Sequence, residues 1–140
     1  MVVMKSTGEG VARPALLPIL KGVAWLFTAL ILVQAILAGR GWFVDLDLID
    51  VHGTVGMLVW LVALVQAVLA AVVFGRATLR SPLALMAGAL LVLTTVQLGL
   101  GMASDENADA AALHIPNGVL IFGLATAYSS LLVRLPGRSE

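Results

Sequence analysis

The chain has two histidines and no cysteine. Metal or redox chemistry on its side chains must therefore run through imidazole, and disulfides, thiolate ligands and thiol redox steps are excluded. His52 opens the stretch His-Gly-Thr-Val-Gly, and His114 opens His-Ile-Pro-Asn-Gly. Each is followed four positions later by a glycine (Gly56, Gly118) and eleven positions later by an alanine (Ala63, Ala125). On a helix, offsets of four and eleven stay on roughly one face. Each stretch thus presents an imidazole, then a surface almost bare of side chain, then a second small residue. Such a face suits a flat ligand lying along a helix while a histidine holds it. Two neutral imidazoles can supply both axial ligands of one haem iron, whereas most other metal sites would be left short of ligands. The expected cofactor is a haem, with His52 and His114 as the metal ligands.

Each of these residues also has a plainer reading. A histidine at a membrane boundary can simply be solvated by headgroups, although ionisable groups in spans are costly and usually functional. Gly56 and Gly118 fit close helix packing as well as close approach of a cofactor, and Ala63 and Ala125 fit packing. Gln34, Gln97 and Gln66 are amides that need partners once buried, first of all an interhelical hydrogen bond, second an imidazole N–H or a haem edge. Arg40 is a boundary anchor or a bidentate partner for a haem propionate. Met57, Met86 and Met102 read as packing, with Met102 standing where a substitute axial ligand would be. Trp42 reads as an interface anchor. Asp47 or Asp50 could relay protons to a haem edge. Nothing resembles a phosphate loop, a nucleophilic triad or a nucleic-acid patch.

The elements that must position these residues are membrane spans. With 61% hydrophobic and 11% charged residues, the chain supplies four runs of the roughly 20 apolar residues that a crossing needs, at 16–38, 51–74, 82–103 and 111–133. The expected fold is an all-α, integral-membrane, antiparallel four-helix bundle. Residues 1–13 form a tail, 14–134 the bundle and 135–140 a second tail. The first run is longer than a signal core and lacks a small-x-small closure, so it is read as a helix, with Lys21 snorkelling. Asp50 is a candidate N-cap that would leave His52 in the first turn. Pro116 means either that the fourth helix starts beside His114 or that it is kinked there.

Lys5, Arg13, Lys21, Arg76, Arg80, Arg134 and Arg138 fall on the tails and the middle loop. Asp45, Asp47, Asp50, Asp105, Glu106 and Asp109 fall on the first and third loops, where Arg40 is the only base. The positive-inside bias then places both termini in the cytoplasm and both histidines near the outer face. The expected location is the plasma membrane of a prokaryote.

The chain also reads as two copies of one hairpin. Gln97 follows Gln34 by 63 positions, while His114 follows His52, and Gly101 follows Gly39, by 62. Gly56/Gly118 and Ala63/Ala125 keep the register of 62. Each unit crosses twice, so the copies are related by an approximate twofold axis along the membrane normal, and the histidines face each other across it.

A Gln-x-x-Leu-[Ala/Gly] helix end, an outward loop, a histidine opening the next helix and a second copy some sixty residues on resemble one four-helix half of the haem A synthase family. The resemblance covers about residues 16–133. It implies that His52 and His114 correspond to the paired haem-ligating histidines of one half. Family members often carry a glutamate three residues before the first histidine, thought to serve the oxidation, and here that position is Ile49. The second half has no counterpart. The resemblance therefore implies haem binding more than haem oxidation. Gln34, Gln97, Gly56, Gly118 and Arg40 complete the expected cofactor surround, and no catalytic residue is assigned. Expected partners are the lipid bilayer, a quinol or an external redox protein, no nucleic acid, and a second copy of the chain in a homodimer. The competing readings are a cofactor-free membrane assembly subunit and a small transporter half.

Overall fold

A computed structural model describes residues 12–75 and 81–136. A short 3-10 turn (Pro14–Leu16) leads into α1 (Leu17–Phe43), followed by α2 (Asp47–Phe74), α3 (Pro82–Ala103) and α4 (Ala108–Val133). At about 1.5 Å per residue even the shortest of the four exceeds the roughly 30 Å hydrocarbon core. All four are long and apolar enough to cross a membrane. The expected all-helical four-helix bundle is what the chain forms.

Each helix packs on its two neighbours in a closed ring, α1 on α2, α2 on α3, α3 on α4 and α4 on α1, while the diagonal pairs stay apart at the backbone. Lipid gives helices no hydrophobic reason to associate, so close backbone approach and interhelical hydrogen bonds must do it. Ala24, Ala63, Ala70, Ala84, Ala87 and Ala125 are buried along the inner faces and permit that approach. Each ring interface then has a polar tie. Gln34 meets His52 between α1 and α2. Trp60 Nε1 donates to Thr95 Oγ1 at 3.0 Å between α2 and α3. Asn117 donates to α3 from α4. Thr28 Oγ1 and Ser129 Oγ lie 3.0 Å apart between α1 and α4.

The repeat seen in the sequence governs the core. Leu20/Leu83, Ala24/Ala87 and Phe27/Leu90 keep the register of Gln34/Gln97 and are all buried. Val59/Ile121, Ala63/Ala125, Gln66/Tyr128 and Ala70/Leu132 keep the register of the histidines and are all buried too. Long apolar side chains such as Leu26, Leu32, Leu61, Val92 and Leu120 point outward, the arrangement expected where the surroundings are lipid.

Several helix ends differ from the sequence reading. α1 runs through Arg40-Gly41-Trp42 to Phe43, so the corner to α2 is only three residues long. α2 begins at Asp47 with no side-chain cap, and Asp50 sits inside its first turn. Asp50 is thus no N-cap; it and Asp47 instead complement the helix dipole. His52 falls in the second turn rather than the first. α4 begins at Ala108, where Asn107 Oδ1 accepts from the backbone N–H of Asp109 and Ala110. Pro116 is therefore inside a helix, and of the two expectations for it the interior one holds. α3 starts as anticipated, with Pro82 in its first turn and Ser81 capping the Ala84 N–H. Gly75 ends α2 at φ 55°, a left-handed conformation that glycine adopts without a Cβ clash.

The Ala12 and Arg13 N–H groups both donate to the Val73 carbonyl near the end of α2. Lys21 does not merely snorkel: its Nζ donates to the Leu135 carbonyl at 2.9 Å. Lys5, Arg76, Arg80 and Arg138, on which the orientation argument partly rests, lie outside the described residues.

Candidate functional site

The corner between α1 and α2 sets the first half of the site. Gly41 is buried, and a Cβ there would lie 2.5 Å from Ile49 Cδ1 and 3.2 Å from the Ile49 backbone nitrogen. Only glycine lets the Ile49 side chain fold onto α1 in this way. Ile49 thus closes the corner that aligns α1 with α2.

Within that aligned pair Gln34 and His52 bind each other twice. Gln34 Nε2 donates to the His52 backbone carbonyl at 3.0 Å. His52 Nδ1 lies 3.1 Å from the Gln34 backbone carbonyl. A carbonyl can only accept, so Nδ1 carries the proton and Nε2 keeps the lone pair. The sequence reading anticipated the interhelical bond from the amide, and the imidazole contact comes from the backbone of the same residue. Gly56 makes room for this, since a Cβ there would meet Gln34 Nε2 at 3.0 Å.

The second half repeats the plan with different partners. A Cβ on Gly118 would meet Gln97 Nε2 at 3.2 Å, so both glycines of the repeat receive a glutamine amide. Gln97 Oε1, however, accepts from Asn117 Nδ2 at 2.7 Å, and the same Nδ2 also donates to the Leu93 carbonyl at 3.1 Å. Position 55, the equivalent of Asn117, is a valine in the first half. His114 Nδ1 is covered and makes no hydrogen bond, where His52 Nδ1 has the Gln34 carbonyl. The ring edge rests on the bare backbone of Gly101, where a Cβ would lie 3.0 Å from His114 Cε1.

The two imidazoles meet across the diagonal of the bundle. Their ring centroids are 6.1 Å apart and their planes are inclined at 70°. The backbones of α2 and α4 stay apart, and the two histidine side chains meet between them at this end. Both are half-buried.

The other expected site residues divide. Gln34, Gln97, Gly56 and Gly118 gather around the histidines, whereas Arg40 is exposed in the last turn of α1. Asp47 and Asp50 are exposed. Met102 is 80% exposed and faces away from the bundle centre, so it does not stand in for an axial ligand. Met57 faces outward as well, while Met86 packs on the core. Gln66 departs from its expected interhelical bond: it is fully buried, and neither end of its amide has a partner. Asn117 joins the polar cluster around the histidines although the motif reading assigns it no part. Its signal was present, a polar side chain one turn below His114 and beside the glycine. Among the described residues no cluster of three or more His, Asp or Glu side chains that could hold a metal ion occurs.

No family model, curated protein or solved structure matches the chain.

Proposed function

We propose that this membrane-spanning bundle is a haem b protein whose iron is held by His52 and His114 from opposite sides. The observation that carries the reading is the pair of imidazoles brought from diagonal helices to 6.1 Å. Two metal–nitrogen bonds of about 2 Å each, with the rings beyond them, separate ring centroids by roughly 6 Å. The His52 tautomer adds support, because metal-ligating histidines characteristically give their other N–H to a carbonyl or carboxylate. Bound iron would supply one-electron transfer between ferric and ferrous states.

The residues of the chain have their own tasks around it. Gln34 fixes the tautomer and direction of His52. Gln97, tied by Asn117, and Gly101 define the bed of His114. Arg40, at the same end of the bundle, supplies a guanidinium for a propionate. With the positive-inside bias, this end faces outward in a prokaryotic plasma membrane, and the electron partner is a quinol or an external redox protein. One haem near one face cannot pass electrons across a core roughly 30 Å thick, so the proposal does not include conduction through the membrane. The likeness to half of a haem A synthase supports haem binding. Oxidation of haem is left out, because Ile49 is committed to packing on Gly41.

Purification from cells supplied with haem precursor, followed by oxidised and dithionite-reduced absorption spectra, tests the proposal. A low-spin, six-coordinate haem b spectrum is expected, lost or converted to high spin in His52→Ala and His114→Ala. A colourless protein with intact helices would instead favour a cofactor-free assembly subunit.

A further inference from the structure

We infer that the two histidines are unequal ligands, His52 fixed and His114 exchangeable, so that the site admits a small neutral ligand of the carbon monoxide type on the His114 side. The inference rests on the haem reading above. Three differences between the two halves carry it, and all point the same way.

The first is the partner of Nδ1. His52 hands its Nδ1 proton to the Gln34 carbonyl, which holds the ring in one orientation and raises the basicity of Nε2. His114 Nδ1 is covered and unpaired. When His114 ligates through Nε2, that N–H stays a buried donor without an acceptor. Turning the ring away relieves this, so detachment is favoured relative to His52.

The second lies in the glutamines. Gln34 Nε2 donates to the His52 backbone carbonyl, whereas Gln97 is tied through its Oε1 to Asn117 and makes no such bond to the His114 backbone. The third is Pro116, which lacks the N–H that would bond to the Ala112 carbonyl. The turn of α4 bearing His114 therefore holds one backbone bond fewer than the turn of α2 bearing His52. Gly101 is not a difference of residue type, since its counterpart Gly39 is also a glycine, but its bare backbone is what gives the His114 ring edge its place against α3.

The exchange is a simple substitution. With haem bound, His114 Nε2 would give up its bond to the ferrous iron and the carbon of carbon monoxide would take its place. The imidazole leaves neutral with its proton on Nδ1, and iron remains ferrous throughout.

The test uses the full-length holoprotein in nanodiscs, reduced with dithionite and mixed with carbon monoxide. Wild type should bind it at a rate that levels off with gas concentration, the plateau being the rate at which His114 detaches. His114→Ala should keep its haem, become five-coordinate and bind carbon monoxide at least 10-fold faster, with added imidazole restoring the low-spin spectrum. His52→Ala should lose 10- to 100-fold or more in haem affinity, the range seen when the surroundings of a metal ligand are removed. Gly101→Ala, a milder change, should raise the plateau rate by crowding His114 Cε1. Equal loss of haem from the two histidine variants, or carbon monoxide entering only when His52 is removed, would overturn the inference and leave the two-histidine site standing. Wild type without haem would overturn both together.

Discussion

His52 and Gln34 hold each other through two hydrogen bonds, and that small reciprocity is where the chemistry of the chain begins. The types and spacing of the histidines, glutamines and glycines were legible from sequence, because a repeat exposes positions that are kept together. Which atoms pair was not legible, since backbone carbonyls are the same at every residue. Nor could sequence show that the glycines accommodate glutamine amides. Asn117 offers a direct check of the second half. Asn117→Ala removes two donations to α3 and should lower stability by about 1 kcal/mol, a usual value for such bonds inside membranes. The measurement is thermal unfolding in detergent, and the iron should stay six-coordinate.

At the scale of elements, spans were easy to read and their ends were not. Apolar composition fixes a crossing within a few residues, but Arg40-Gly41-Trp42 interrupts the apolar run without interrupting α1. The reason is tertiary: buried Gly41 receives Ile49, and this contact extends α1 and starts α2 early. Ile49→Glu should therefore destabilise the protein by roughly 1–3 kcal/mol, through misfit and loss of apolar contact at the corner, and should confer no oxidation of haem. A variant as stable as wild type would show that the corner does not depend on this packing. The middle of α2 gives the opposite case. Gln66 is fully buried with both ends of its amide unpaired, so its polarity contributes nothing to offset its desolvation. Gln66→Met, close in volume, should leave stability unchanged or raise it by about 1 kcal/mol. A clear loss in the same unfolding assay would mean that the amide has a partner after all.

For the whole molecule, a doubled hairpin closing into a ring explains why two residues far apart in sequence become a site. The repeat puts equivalent positions on diagonal helices, and the two histidine side chains meet between them at one end. Orientation follows from charge rather than packing, and it is open to direct labelling because the native chain has no cysteine. Single cysteines at Asp47 and Asp105 should react with an impermeant maleimide from outside intact cells, while one at Thr78 should not; the reverse would turn the histidine end toward the cytoplasm. The central claim, that one iron sits between these two imidazoles, is tested most directly by electron paramagnetic resonance of the ferric protein. Each imidazole donates π density to the iron d orbital perpendicular to its plane. Planes inclined at 70° raise both orbitals of the pair almost equally and leave the orbital moment largely unquenched. The account predicts a low-spin ferric signal of high anisotropy, dominated by one large g value. A high-spin signal, or no haem iron signal from correctly folded protein, would contradict it.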